Sequence, residues 1–183
     1  GRGFNLSNSA SGYFSNIVGS KMDILFYEGG CASNTFENIN AVGCVTAVYE
    51  SNCANNTYTN LKAYANNYGV QLGLNIASGN KYIGCGFGVG AGGSQYNTTS
   101  DIVGNASGSF VQDMFQNCTF NSTNFSTNVG SFLQGSYYQL DNCVIGATLN
   151  INRIYQAYGY YERELVEIKN GTTSAKLATI TNG

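Results

Sequence analysis

The chain has 183 residues with no Pro, Trp or His, 24 Gly, 14 Tyr, a net charge of −2 and only 10% charged residues. That charge and a pI near 4.9 exclude the basic face with which a nucleic-acid binder neutralises phosphates, and the lack of His excludes Ser-His-Asp, Cys-His and His-metal chemistry within the chain. A content of 43% hydrophobic and 13% aromatic residues is too high for a disordered segment, despite the abundance of Asn, Ser, Thr and Gly.

Residues 1–12, polar and rich in Ser and Asn, read as an N-terminal cap or as the continuation of coils that precede them. Gly1-Arg2-Gly3-Phe4 carries neither an initiator Met nor a signal peptide, which points to a processed form or a piece of something longer. A repeat then begins. Phe14-Ser15-Asn16-Ile17 returns as Phe36-Glu37-Asn38-Ile39, Tyr58-Thr59-Asn60-Leu61, Tyr82-Ile83-Gly84-Cys85, Phe115-Gln116-Asn117-Cys118 and Leu140-Asp141-Asn142-Cys143. The spacings are 22, 22, 24, 33 and 25 residues, as expected if loops lengthen while stacked strands keep register. Upstream positions repeat as well. Tyr27-Glu28 with Cys31-Ala32-Ser33-Asn34-Thr35-Phe36 matches Tyr49-Glu50 with Cys53-Ala54-Asn55-Asn56-Thr57-Tyr58.

The repeat is a β structure. Segments such as Val70-Gln71-Leu72-Gly73-Leu74 alternate with period 2, where a helical solenoid would show 3.6. A repeat of about 22 residues suits three short strands and three turns, stacked about 4.8 Å apart. The expected fold is all-β: a single right-handed parallel β-helix of about six coils over residues 13–150. In the motif itself, inward parity switches at the Asn, which marks a sharp corner, and Asn tolerates the left-handed conformation such a corner requires. Asn16, Asn38, Asn60, Asn117 and Asn142 are expected to form a side-chain ladder in the interior, with Gly84 in the same role at the fourth coil.

At these residues the chain resembles the pectate-lyase-like superfamily of right-handed parallel β-helices, over about residues 12–150, and most closely the β-helix of bacteriophage tailspikes and tail fibres. The resemblance implies a glycan-facing protein outside the cell or on a virion, a homotrimer, and cell-surface polysaccharide as partner. The residues themselves lead to the expectation of no cofactor, metal, nucleic acid or membrane insertion, since the chain lacks a basic face, His, a CxxC pair and any run of 18 apolar residues. The polygalacturonase elements Gly-His-Gly and Arg-Ile-Lys are missing, and Asp23, Asp101, Asp113 and Asp141 are scattered, unlike the acid cluster of calcium-dependent pectate lyases. After Asn150 the repeat stops. Residues 151–183 read as a C-terminal cap or oligomerisation segment, with a strand on each side of Asn170-Gly171.

One pair of acids is a catalytic candidate. Glu28 and Glu50 hold the same position in adjacent coils, so their backbones are expected roughly 5 Å apart, close enough for one carboxyl to act as acid and the other as nucleophile or base. The alternative is that both are solvated at the edge of a turn. Tyr137, Tyr155 and Tyr160 are candidates for stacking on sugars. Cys85, Cys118 and Cys143 replace aliphatics and read as a buried column, while Cys31 and Cys53 stack as a second pair. Eight N-x-Ser/Thr sequons, at Asn5, Asn55, Asn97, Asn105, Asn117, Asn121, Asn124 and Asn170, are weak support for a secreted glycoprotein. Besides a tailspike, the sequence allows a stand-alone polysaccharide lyase or glycoside hydrolase, and a structural adhesin or filament subunit.

Overall fold

Alternating side chains and frequent Asn and Gly produce strands with corners between them. The computed structural model describes residues 1–72, 77–88, 100–104, 111–120, 137–145, 167–170 and 173–176, and every regular element among them is a β-strand. The first parallel sheet stacks Arg2–Ser7, Ile24–Gly29, Thr46–Ser51, Tyr68–Leu72 and Ser100–Gly104. A second sheet stacks the repeat motif, from Tyr13–Ser20 and Thr35–Val42 through Thr57–Thr59, Ala77–Ile83 and Val111–Gln116 to Tyr137–Asp141. Single bridges join Ala10 to Ala32 and Ala32 to Ala54 on a short face between the two sheets. The result is a parallel β-solenoid of about four turns in its most completely described part, against the six coils expected. Strands carrying the last two anchors extend the second sheet beyond it. The stack already includes Arg2–Ser7, which pairs in register with Ile24–Gly29, so coil structure starts before the repeat becomes legible.

Among the described residues, the first three coils each turn four times through a left-handed residue. The columns are Asn8, Gly30 and Asn52; Ser11, Ser33, Asn55 and Gly79; Asn16, Asn38, Asn60, Gly84, Asn117 and Asn142; and Lys21, Gly43, Ala65 and Gly88. All have φ between 49° and 72°. Only the third column was legible from the sequence. Its amides do hydrogen-bond along the stack, Asn60 Nδ2 to Asn38 Oδ1 at 2.8 Å and Asn142 Nδ2 to Asn117 Oδ1 at 2.7 Å. The interior position expected for them is corrected, because Asn16, Asn38, Asn117 and Asn142 are exposed. A left-handed residue at a corner throws its side chain outward and turns the residue that follows it, such as Ile39, Leu61 or Cys85, into the core. Gly84, at φ +61° with open space around its missing Cβ, interrupts this outer ladder. Gly84→Asn is therefore expected to be neutral or slightly stabilising, while Gly84→Ala loses about 1 kcal/mol or more, read as a shift in urea midpoint.

The core is built of columns along the axis. Phe14, Phe36, Tyr58, Tyr82 and Phe115 stack with centroids 4.6–5.0 Å apart and rings within 12° of parallel. Phe26 meets this column edge-on and is followed on its own row by Val48, Val70 and Ile102, all buried. After the outer corner, Ile39, Leu61, Cys85, Cys118 and Cys143 succeed one another inside, so the thiols occupy aliphatic positions as expected. All six cysteines are buried and free.

Outside the solenoid, Glu167–Asn170 and Thr173–Lys176 pair antiparallel, the strand pairing expected around Asn170-Gly171. Among the described residues no helix is long and apolar enough to cross a membrane.

Candidate functional site

The sequence pair Glu28 and Glu50 is brought together, but on the inside. The strands align Glu28 with Glu50 in register, and both side chains have 0% exposure. The alternative, two solvated carboxylates at the edge of a turn, is corrected by parity. Phe26 and Glu28 share one face of their strand, as Val48 and Glu50 share theirs, while Tyr27 and Tyr49 between them point outward and stack on each other at 5.3 Å.

Charged groups are buried at great cost unless hydrogen-bonded, and here a second ladder supplies the bonds. Asn34, Asn56, Asn80 and Asp113 form an inner column, all with 0–1% exposure. The side-chain oxygen of each accepts the backbone N–H of the residue one coil earlier. Gly12 donates to Asn34 at 2.8 Å, Asn34 to Asn56 at 2.9 Å, Asn56 to Asn80 at 2.9 Å, and Asn80 to Asp113 at 3.0 Å. The amide nitrogens turn to the acids: Asn56 Nδ2 donates to Glu28 Oε2 at 2.8 Å and Asn80 Nδ2 to Glu50 Oε2 at 3.0 Å. The second oxygen of each acid accepts a phenol, Tyr58 on Glu28 and Tyr82 on Glu50, the latter at 2.8 Å.

This arrangement explains which coils carry Tyr and which carry Phe in the aromatic column. The phenol occurs where the preceding coil places a Glu on the first sheet. Phe36 follows the coil in which Leu6 holds the Glu row, and Phe115 follows the coil in which Leu72 holds it. Asn34, with no acid to meet, gives its amide to the Ser9 carbonyl at 3.3 Å instead. Asp113 takes the next Asn position, and its Oδ2 is buried with no hydrogen-bond partner. Burial pushes the carboxyls of Glu28, Glu50 and Asp113 upward, Glu50 to about 7. Glu28 is raised further by the charge of Glu50, and so is Asp113.

Oxygen and sulfur atoms of Glu28, Cys31 and Cys53 lie within 4.8 Å of one another, a spacing a metal ion could bridge. The set is already satisfied. Both Glu28 oxygens accept from Asn56 and Tyr58, and the two thiols donate to the Leu6 and Glu28 carbonyls, each at 3.3 Å. Burial also pushes both thiols up, away from the thiolate a metal would need.

Of the tyrosines expected to stack on sugars, Tyr137 lies in a strand of the second sheet, while Tyr155 and Tyr160 fall outside the described residues. So does most of the stretch between 86 and 114, the loop-lengthened interval of the 33-residue spacing, where function is expected from the sequence because loops vary while the scaffold holds. The inner Asn column was missed in the sequence, although Asn34 and Asn56 stand at matched positions of the quoted repeat. Its signal was an Asn recurring two residues before the aromatic, at a fixed offset from the Glu.

Fold and site together define a parallel β-solenoid with an acid and amide column sealed in its core. Comparison with protein-family models, with curated proteins and with solved structures gives no match.

Proposed function

We propose that the chain is the solenoid of a surface protein of the tailspike or tail-fibre kind within the pectate-lyase-like superfamily, and that it binds host cell-surface polysaccharide along its flank. The observation supporting this is the outer face of the second sheet. Tyr13, Thr35, Thr57 and Lys81 form one outward row, and Ser15, Glu37, Thr59, Ile83 and Gln116 another, beside the exposed Asn corner. Hydroxyls and amides repeated every 4.8 Å or so offer a polysaccharide many equivalent hydrogen bonds with few charges to desolvate. The reading is one of binding. Glu28 and Glu50 could meet a glycan only if the strands covering them parted. In this reading the protein acts outside the cell or on a virion, as a homotrimer.

The test is retention of the protein by a panel of capsular and O-antigen polysaccharides, with released oligosaccharide and solution mass measured in parallel. At least one polysaccharide is expected to retain it. A Tyr13→Ala, Glu37→Ala double variant, altered only on the flank, is expected to bind it at least fivefold more weakly. A folded protein retained by none of the panel overturns the proposal. Oligosaccharide release by a monomer would favour a free-standing hydrolase or lyase, and open-ended polymerisation a filament subunit.

A further inference from the structure

Glu28 and Glu50 stand in register on adjacent coils, both without exposure to solvent. Tyr58 donates its hydroxyl to Glu28 and Tyr82 donates to Glu50 at 2.8 Å. A phenol has one proton to give, so each phenol serves one acid and brings no charge to offset it. Two acids buried side by side in this way are stable when they hold a proton between them.

We propose that this buried acid pair is a proton switch built into the core: the solenoid is most stable in acidic medium and loosens when alkali removes the proton held by Glu28 and Glu50. Among the described residues the surroundings contain no cation to replace it. From the first sheet, Leu6 and Leu72 hold the rows on either side of the pair. The corner residues Cys31 and Cys53 bring thiols to Glu28. Across the core, Thr57–Thr59 brings Tyr58, Ala77–Ile83 brings Tyr82, and Val111–Gln116 brings a third acid, Asp113. Asp101 is buried on the row of Ala47, three residues from the Glu row. Among the residues whose burial is described, no Lys or Arg is buried, and Arg2, Lys21, Lys62 and Lys81 are all exposed. Among the described residues, like charges in this space meet no buried counter-charge, and a proton neutralises them instead.

The direction of the effect follows from proton counting. An unfolded Glu releases its proton near pH 4.5, whereas burial holds Glu50 protonated to about 7. Between those values the folded chain binds more protons than the unfolded one, so stability is full below the lower value and falls as pH rises toward the upper. The experiment is urea unfolding of the full chain from pH 4.5 to 9, with infrared spectra of the folded protein at pH 7. The ratio of folded to unfolded chains is expected to fall roughly 100-fold between pH 5 and 8, and a neutral-acid carbonyl band is expected to persist at pH 7. Glu50→Gln, which keeps the shape of the side chain and an oxygen for Tyr82 without titrating, is expected to flatten the profile and remove part of that band. A stability that is level or rising across this window, or the absence of a neutral-acid band in the unsubstituted chain at pH 7, overturns the proposal. The spectrum decides the matter even if the variant does not fold.

Discussion

Asn56→Ala is expected to bring the solenoid to the edge of unfolding. Asn56 accepts the Asn34 N–H and donates to Glu28 Oε2, so its removal strands a backbone donor and a carboxylate oxygen where water does not reach. An orphaned buried group loses about 1–3 kcal/mol, more if charged, which sums to about 4 kcal/mol. A domain of this size has about 5–15 kcal/mol in all. Asn38→Ala on the outer ladder serves as control. It gives up exposed bonds to Asn16 and Asn60 and the ease with which Asn takes φ +55°, a loss of about 1–2 kcal/mol. The measurement is the urea midpoint of both variants under identical conditions. Equal losses would mean that the inner ladder carries no more of the stability than the outer.

The second large effect is expected at Phe36. Its ring lies between Phe14 at 5.0 Å and Tyr58 at 4.6 Å, and meets the edge of Phe26 at 5.0 Å. Removing such a ring leaves a cavity that stacked neighbours, each fixed by its own strand, cannot close. Phe36→Ala is expected to lose about 3–5 kcal/mol, seen by calorimetry as a fall in Tm of several degrees or more. A loss under about 1 kcal/mol would show that the coils shift along the axis to refill the space.

These two positions also show what a reader of the sequence can and cannot recover. The outer Asn column is legible because it stands two residues after an aromatic, or Leu140 in the last repeat, and just before an aliphatic or the Cys that replaces one, and a corner that reverses parity has few chemical solutions. Phe36 is legible for the same reason. The inner column is harder, since Asn34 and Asn56 stand in stretches of Ser, Ala, Asn and Thr that look like surface. Glu28 and Glu50 are hardest. Alternation with Phe26 and Val48 puts them inside, yet the general rule that acids stay in water points the other way. The resolving clue lies one coil on, in a Tyr replacing Phe and an Asn two residues before it, and it becomes visible only once the coils are laid in register. The remaining three columns of left-handed residues change identity from coil to coil, among Asn, Ser, Gly, Lys and Ala, and leave no consensus to find.

The inner ladder has a polarity. Every bond in it runs from a backbone donor in one coil to a side-chain acceptor in the next, so the two ends of the stack are chemically unlike. A break between coils leaves a bare N–H on one fragment and a bare carbonyl or carboxyl oxygen on the other. Two such surfaces can rejoin only head to tail. The stack is thus directional: each coil turns a backbone N–H toward the next and a side-chain oxygen toward the one before, and neither face can stand in for the other.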